Sequence, residues 1–178
     1  MDRIWFEDKL NPIDLDTLNT LGLDAFTAQL GGIFEHSPWV ARASHTAKPF
    51  ASVAALHATM VSVVANSGAE RQLTLLRAHP ELARPGPLTA SSAAEQGGMG
   101  LDRLEADEAA SFDSLNAAYR AKFGFPFIIA VRGQRDRTAI LAALSKRSQQ
   151  SPEQEMTTAL GELAKIARFR LDDLFHAN

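Results

Sequence analysis

The sequence predicts an all-α protein: one compact multi-helix domain over residues 1–178, with a single extended or irregular segment near 124–132. Three observations point there. Apolar residues recur every three or four positions along most of the chain, the period that puts them on one face of a helix. Helix start and stop signals punctuate that pattern repeatedly. One stretch, 126–131, reads as a strand by composition, through Ile128, Ile129 and Val131, and no second strand is available to pair with it. A lone strand is not stable by itself, so this stretch should thread extended between helices.

The elements follow in order. Leu15, Leu18, Leu21 and Leu23, beside Asp14 and Asp16, predict a short helix and a turn. Phe26, Leu30, Ile33 and Phe34 share a face of the next helix, which should stop before Pro38. Ser37 then caps a helix with Pro38 at its first position, carrying Trp39, Val40 and Ala43. Residues 51–65 are apolar nearly all round and predict a helix buried at the domain centre. Asn66-Ser67-Gly68 breaks it, and the following helix ends at Pro80. Prolines and a glycine make 83–90 a loop. Ser91-Ser92 starts a short helix, with Glu95 at capping-box spacing from Ser92. Residues 104–123 form a long amphipathic helix with Phe112, Leu115, Ala118 and Tyr119 on its core face. Residues 135–148 are helical, and Ser151-Pro152 followed by Gln154 opens the last helix, striped by Leu160, Leu163, Ile166 and Ala167.

Composition removes several function classes. A net charge of -3, with basic residues scattered among acids, offers no field for a nucleic acid backbone. Cysteine is absent, which excludes thiol nucleophiles, disulfides and cysteine-bound metal. No apolar run approaches the roughly 18 residues that a membrane span needs. The opening MDRIWFEDKL is charged and lacks the apolar core of a signal peptide, so the expected location is the cytoplasm.

Few residues are suited to chemistry. The histidines, His36, His45, His57, His79 and His176, make no tight ligand pair, so no metal site is expected. His57 lies inside an apolar helix and reads as a satisfied core residue, while His36 and His45 sit near helix ends where they meet carbonyls. His79 stands at a helix end before Pro80 and a proline-rich loop, either trading protons near neutral pH or binding orphan carbonyls. Glu95 is either a capping residue or, given the nearby glycines of QGGMG (96–100), part of a site that approaches the backbone closely. Arg132 ends the stiff run FGFPFIIAVRG and needs an anion, either an internal carboxylate or that of a ligand. A serine triad of Ser91 or Ser92 with His79 and Glu95 lacks the GxSxG elbow and its α/β scaffold.

The segments FEHSPWVA, AHPELA, LTASSAAEQGGMGL, LNAAYRAKFGFPFIIAVRG and IARFRLDDL, in this order over nearly the whole chain, resemble the 2-oxo-4-hydroxy-4-carboxy-5-ureidoimidazoline (OHCU) decarboxylase family of urate breakdown. The resemblance implies an all-helical, dimeric, cofactor-free enzyme that makes (S)-allantoin and carbon dioxide. It implies catalytic roles for His79 and Glu95, with Glu95 bonded to His79 or to ureido N–H groups. It implies substrate contacts for Pro80, Ser92, Gln96 and Arg132, with Phe125, Pro126, Ile128 and Ile129 lining the site. The connector 83–88 is shorter than the family's pattern, which bears on the loop's path over the pocket. The rival expectations are a helical adaptor, with His79, Glu95 and Arg132 far apart on the surface, and a retained fold acting on a related ureido acid. An enzyme requires those three to gather with 123–133 around one pocket.

Overall fold

The computed structural model describes residues 12–84 and 86–176. They form helices α1 (Leu15–Thr20), α2 (Leu23–Leu30), α3 (Pro38–Ser44), α4 (Val53–Ala65), α5 (Ala69–Ala78), α6 (Ala90–Gly98), α7 (Ala106–Phe123), α8 (Arg137–Arg147) and α9 (Pro152–His176), with no strand among the described residues. The cap chemistry that ends these helices is explicit. Asp14 and Asp136 accept from Thr17 N and Ala139 N, each at 2.8 Å. Ser151 and Gln154 bond each other's backbone and side chain at the start of α9, as the Ser-Pro-x-Gln pattern predicts.

The central element is α9, which packs against α4, α5 and α7 and buries Ala159, Leu163, Ile166, Ala167, Leu171 and Leu174. This corrects the expectation for 51–65. Helix α4 buries only Leu56, Met60 and Val64, one row at four-residue spacing, and leaves Ala54, Ala58, Ser62 and Ala65 exposed. Alanine and serine present too little apolar area to force their face inward. In α7 the buried row is Phe112, Asn116, Tyr119 and Phe123; Leu115 is half-buried and Ala118 exposed.

Helix α2 also stops earlier than Phe34. It ends at Leu30, and a turn through Gly31-Gly32 redirects the chain so that Ile33 and Phe34 still reach the core. A Cβ on Gly31 would meet Thr27 O at 2.8 Å and Pro38 Cβ at 3.3 Å, so only glycine lets α3 approach this closely. The turn places Glu35, 3% exposed, inside the protein.

The segment 124–131 forms neither helix nor strand, as expected of an extended or irregular stretch, and nearly every residue in it is buried. Phe125 and Phe127 pack edge-on against Tyr119. Its backbone polar groups are met by side chains in place of a partner strand. Arg147 Nη1 donates to Ile128 O at 2.8 Å, and Ala130 N donates to Glu162 at 2.8 Å. Arg147 is itself fixed by Glu155, fully buried, which also accepts from the Tyr119 hydroxyl. A charged cluster thus clamps the run of residues that leads to Arg132.

Candidate active site

Three segments surround a cavity of about 680 Å³: the outward face of α6, the end of the 124–131 run, and the last turns of α9. Helix α6 contributes Ala90, Ala94, Glu95 and Gly98, whose small members leave the space open. The extended run contributes Val131, Arg132 and Gly133, and α9 contributes Arg170, Asp173 and Leu174.

Arg170 is the hub. Its Nε and Nη2 donate to the two oxygens of Glu95 at 2.9 and 3.0 Å, a bidentate pair. Nη2 also reaches Glu35 Oε2 at 3.2 Å and Ser92 Oγ at 3.3 Å, while Nη1 points at Gly32 O, 3.4 Å away. Only 3% of the Arg170 side chain is exposed. Burial alone would lower its pKa, but the bonds and charges of Glu95 and Glu35 outweigh that and raise it.

Behind Arg170 lies a second layer. Glu35 accepts from Ser92 Oγ at 2.6 Å and from Thr89 Oγ1, and its Oε2 stands 3.7 Å from His79 Nδ1. Burial raises the Glu35 carboxyl, yet the His79 ring, the two hydroxyl bonds and Arg170 together leave it below its ordinary range. His79 follows the last residue of α5, with 9% of its side chain exposed. Desolvation is the largest effect on it and pushes it from 6.5 down to about 4, against the pull of Glu35 and with the push of Arg170 and His36. The pair at neutral pH is therefore a carboxylate beside a neutral imidazole.

Of the residues singled out in sequence, Glu95 and Arg132 face the cavity together. His79 is not among the lining residues; it adjoins Glu35, which adjoins Arg170. Glu95 bonds Arg170 and not His79, so the carboxylate beside the imidazole is Glu35. Ser92 and Gln96 lie on the buried side of α6. Ser92 binds Glu35 and Arg170, and Gln96 Oε1 accepts from Ala83 N at 3.0 Å, tying down the loop after Pro80. Thr89, not Ser92, caps α6, which removes the capping-box reading of Glu95. Phe125, Pro126, Ile128 and Ile129 are buried and support the run without lining this cavity, while Pro80 is half-buried. Arg132 is less enclosed than its apolar neighbours suggest. Its side chain is 47% exposed, pairs with Asp173 at 2.9 Å through Nη1, and lies over the Phe169 ring.

Three of the remaining histidines have ordinary backbone partners, and His36 is exposed. His57 Nε2 meets Ala164 O at 2.7 Å, His45 Nε2 meets Leu21 O at 3.3 Å, and His176 Nδ1 meets Asp172 O at 2.7 Å. No group of three or more potential metal ligands occurs among the described residues, and no described helix is long and apolar enough to cross a membrane.

Glu35 and Arg170 escaped the sequence reading. The signal for Arg170 was present: a charged residue at a stripe position, four after Ile166 and four before Leu174. Glu35 gave less, since it lies beyond the end of α2 where no periodicity speaks for burial.

Comparison with known proteins places this geometry in context. A family profile described as OHCU decarboxylase matches residues 19–172. A 2-oxo-4-hydroxy-4-carboxy-5-ureidoimidazoline decarboxylase of Haloferax volcanii is 40% identical over 166 residues, covering 93% of this chain and 98% of that protein. Among solved structures, an (S)-allantoin synthase superposes with a TM-score of 0.74 at 35% identity; the match covers 92% of this chain and 54% of the other. An OHCU decarboxylase solved in the presence of (S)-allantoin gives a TM-score of 0.65 at 26% identity, over 78% of this chain and 91% of that one.

Proposed function

The chain belongs to the OHCU decarboxylase family, and from that membership we propose that it converts OHCU to (S)-allantoin and carbon dioxide in urate catabolism. The observation that carries this reading is the pairing of Arg132, Arg170 and Glu95 on one cavity. Two guanidinium groups suit an anionic carboxylate, and a carboxylate suits ureido N–H donors, so a small molecule bearing both finds partners for both.

The reaction has a definite electron balance. The bond from ring carbon to carboxylate breaks, its pair enters the ring, and the imine nitrogen accepts it with a proton. The neighbouring carbon then gains a proton while the hydroxyl gives one up to become a carbonyl, for a net uptake of one proton. The substrate is its own electron sink, and the protein's task is to hold it and move protons.

Arg132 binds the substrate's anionic end by exchanging Asp173 for it, and the clamped run 124–131 limits where the guanidinium can go. Phe125, Pro126, Ile128 and Ile129 stiffen that run and keep water from its inner side. Glu95 accepts from the ureido group, Ser92 and Gln96 fix α6, and Pro80 fixes the turn that carries His79. His79, neutral at physiological pH, takes the hydroxyl proton or delivers one to carbon. For it to do so the substrate must reach past Arg170, an approach that a small shift of the Glu95–Arg170 pair opens. The protein works as one domain over 1–178, as a homodimer in the cytoplasm, with no cofactor.

The test is the rate of carbon dioxide release from freshly generated OHCU with and without the protein. Release proportional to protein concentration supports the reading, and an unaltered spontaneous rate refutes it.

A further inference from the structure

We propose that Glu35 is a positioning residue for the reaction: its carboxylate fixes the tautomer and orientation of His79 and balances the positive charge the ring acquires when it accepts a proton. The proposal rests on the decarboxylase reading of the neighbouring cavity.

Glu35 is built into place from four directions. The Gly31-Gly32 turn and His36, which has a φ of 53°, direct the side chain inward from the end of α2. Thr89, the cap of α6, and Ser92, one turn further, each donate a hydroxyl to it. Arg170 from α9 reaches it at 3.2 Å, and the His79 ring at the end of α5 lies 3.7 Å away. Arg170 already has a bidentate partner in Glu95. A second buried carboxylate is therefore not needed to neutralise that arginine, and its cost in desolvation calls for another role.

The role follows from the imidazole. At 3.7 Å the contact is longer than a hydrogen bond, so it acts through charge. A nitrogen lone pair pointing at a carboxylate is repelled, and an N–H pointing at it is attracted. Nδ1 therefore carries the proton and Nε2 the lone pair, which leaves Nε2 as the basic nitrogen. When Nε2 accepts a proton, the imidazolium faces Arg170 and the nearby His36, both disfavouring it, and Glu35 is the group adjoining it that favours it. Glu95 contributes only from beyond Arg170.

The test is ¹⁵N NMR of the His79 ring at pH 7 in the wild-type protein and in Glu35→Gln, which keeps the shape and removes the charge. The expected result is a predominantly Nδ1–H ring in the wild type and loss of that preference in the variant. With it, kcat falls at least about tenfold while KM changes little, because the lost effect acts on proton transfer and not on substrate binding. A folded Glu35→Gln protein with the wild-type ring signature or wild-type kcat overturns the proposal. Should that variant not fold, Glu35→Asp decides: it keeps the charge but withdraws it by one methylene, and an unchanged Nδ1–H population refutes the assignment. A wild-type protein that does not accelerate decarboxylation would defeat the functional reading, and the ring signatures would still decide whether Glu35 controls His79.

Discussion

Replacing Arg170 with methionine, of similar reach but no charge, removes the shared partner of two carboxylates. The side chain of Glu35 is 1% exposed and that of Glu95 18% exposed, so neither can turn fully to water. Removing one member of a buried ion pair costs about 3–5 kcal/mol, because the charge left behind is uncompensated. In a chain of this length each kcal/mol moves Tm by about 2–4 °C, so the fall at pH 7 should be about 6–20 °C. The pH dependence follows from Glu35. In the wild type its folded pKa is depressed, so its ionised form stabilises the fold above the ordinary carboxylate range, and that contribution is lost as pH falls through the folded value. Without Arg170 the Glu35 carboxyl loses one of the influences that lower it, so its pKa rises relative to the wild type and acid neutralises the stranded charge sooner. The deficit should narrow as pH falls from 7 through the carboxylate range. Thermal unfolding followed by circular dichroism across that range measures it. A loss below about 2 °C at pH 7, or one equal at every pH, would refute the reasoning.

Other outcomes are equally concrete. His79→Asn should leave the fold intact and lower kcat about a hundredfold or more, read by initial rates of OHCU loss. Between pH 6.5 and about 4 the unfolded chain binds the proton that folded His79 refuses, so wild-type stability falls as pH drops through that window. The same His79→Asn variant should show a flatter stability profile there. Arg132→Lys should impair turnover although charge is kept, because an ammonium cannot form the two-pronged contact that Asp173 now receives. Tyr119→Phe should lower stability by about 1–3 kcal/mol, since Glu155 loses a buried donor, with little change in kcat.

The legible part of the fold was the part governed by local rules. Ser151, with Pro152 and Gln154, announced the start of α9 by side-chain chemistry that needs nothing distant. The extended run was readable because its β-branched composition had no partner to pair with. What sequence alone misjudged depended on long-range balance. Residues 51–65 appeared central by hydrophobicity, yet alanines give little reason to be inside when α9 offers leucine and isoleucine for the same space. Of the cavity, Glu95 and Arg132 stood out by motif, whereas Arg170 and Glu35 meet across 135 positions of chain. Arg132, read as needing an internal or a ligand anion, sits at the rim, where α9 supplies Asp173.

The most direct measurement is the handedness of the allantoin formed when the protein meets fresh OHCU. Spontaneous decay of OHCU gives both hands equally. A proton delivered from one side of a fixed cavity should give a circular dichroism signal of the (S) product that grows with protein and disappears in His79→Asn. Racemic allantoin from the wild-type protein, formed no faster than in buffer, would contradict the assignment outright.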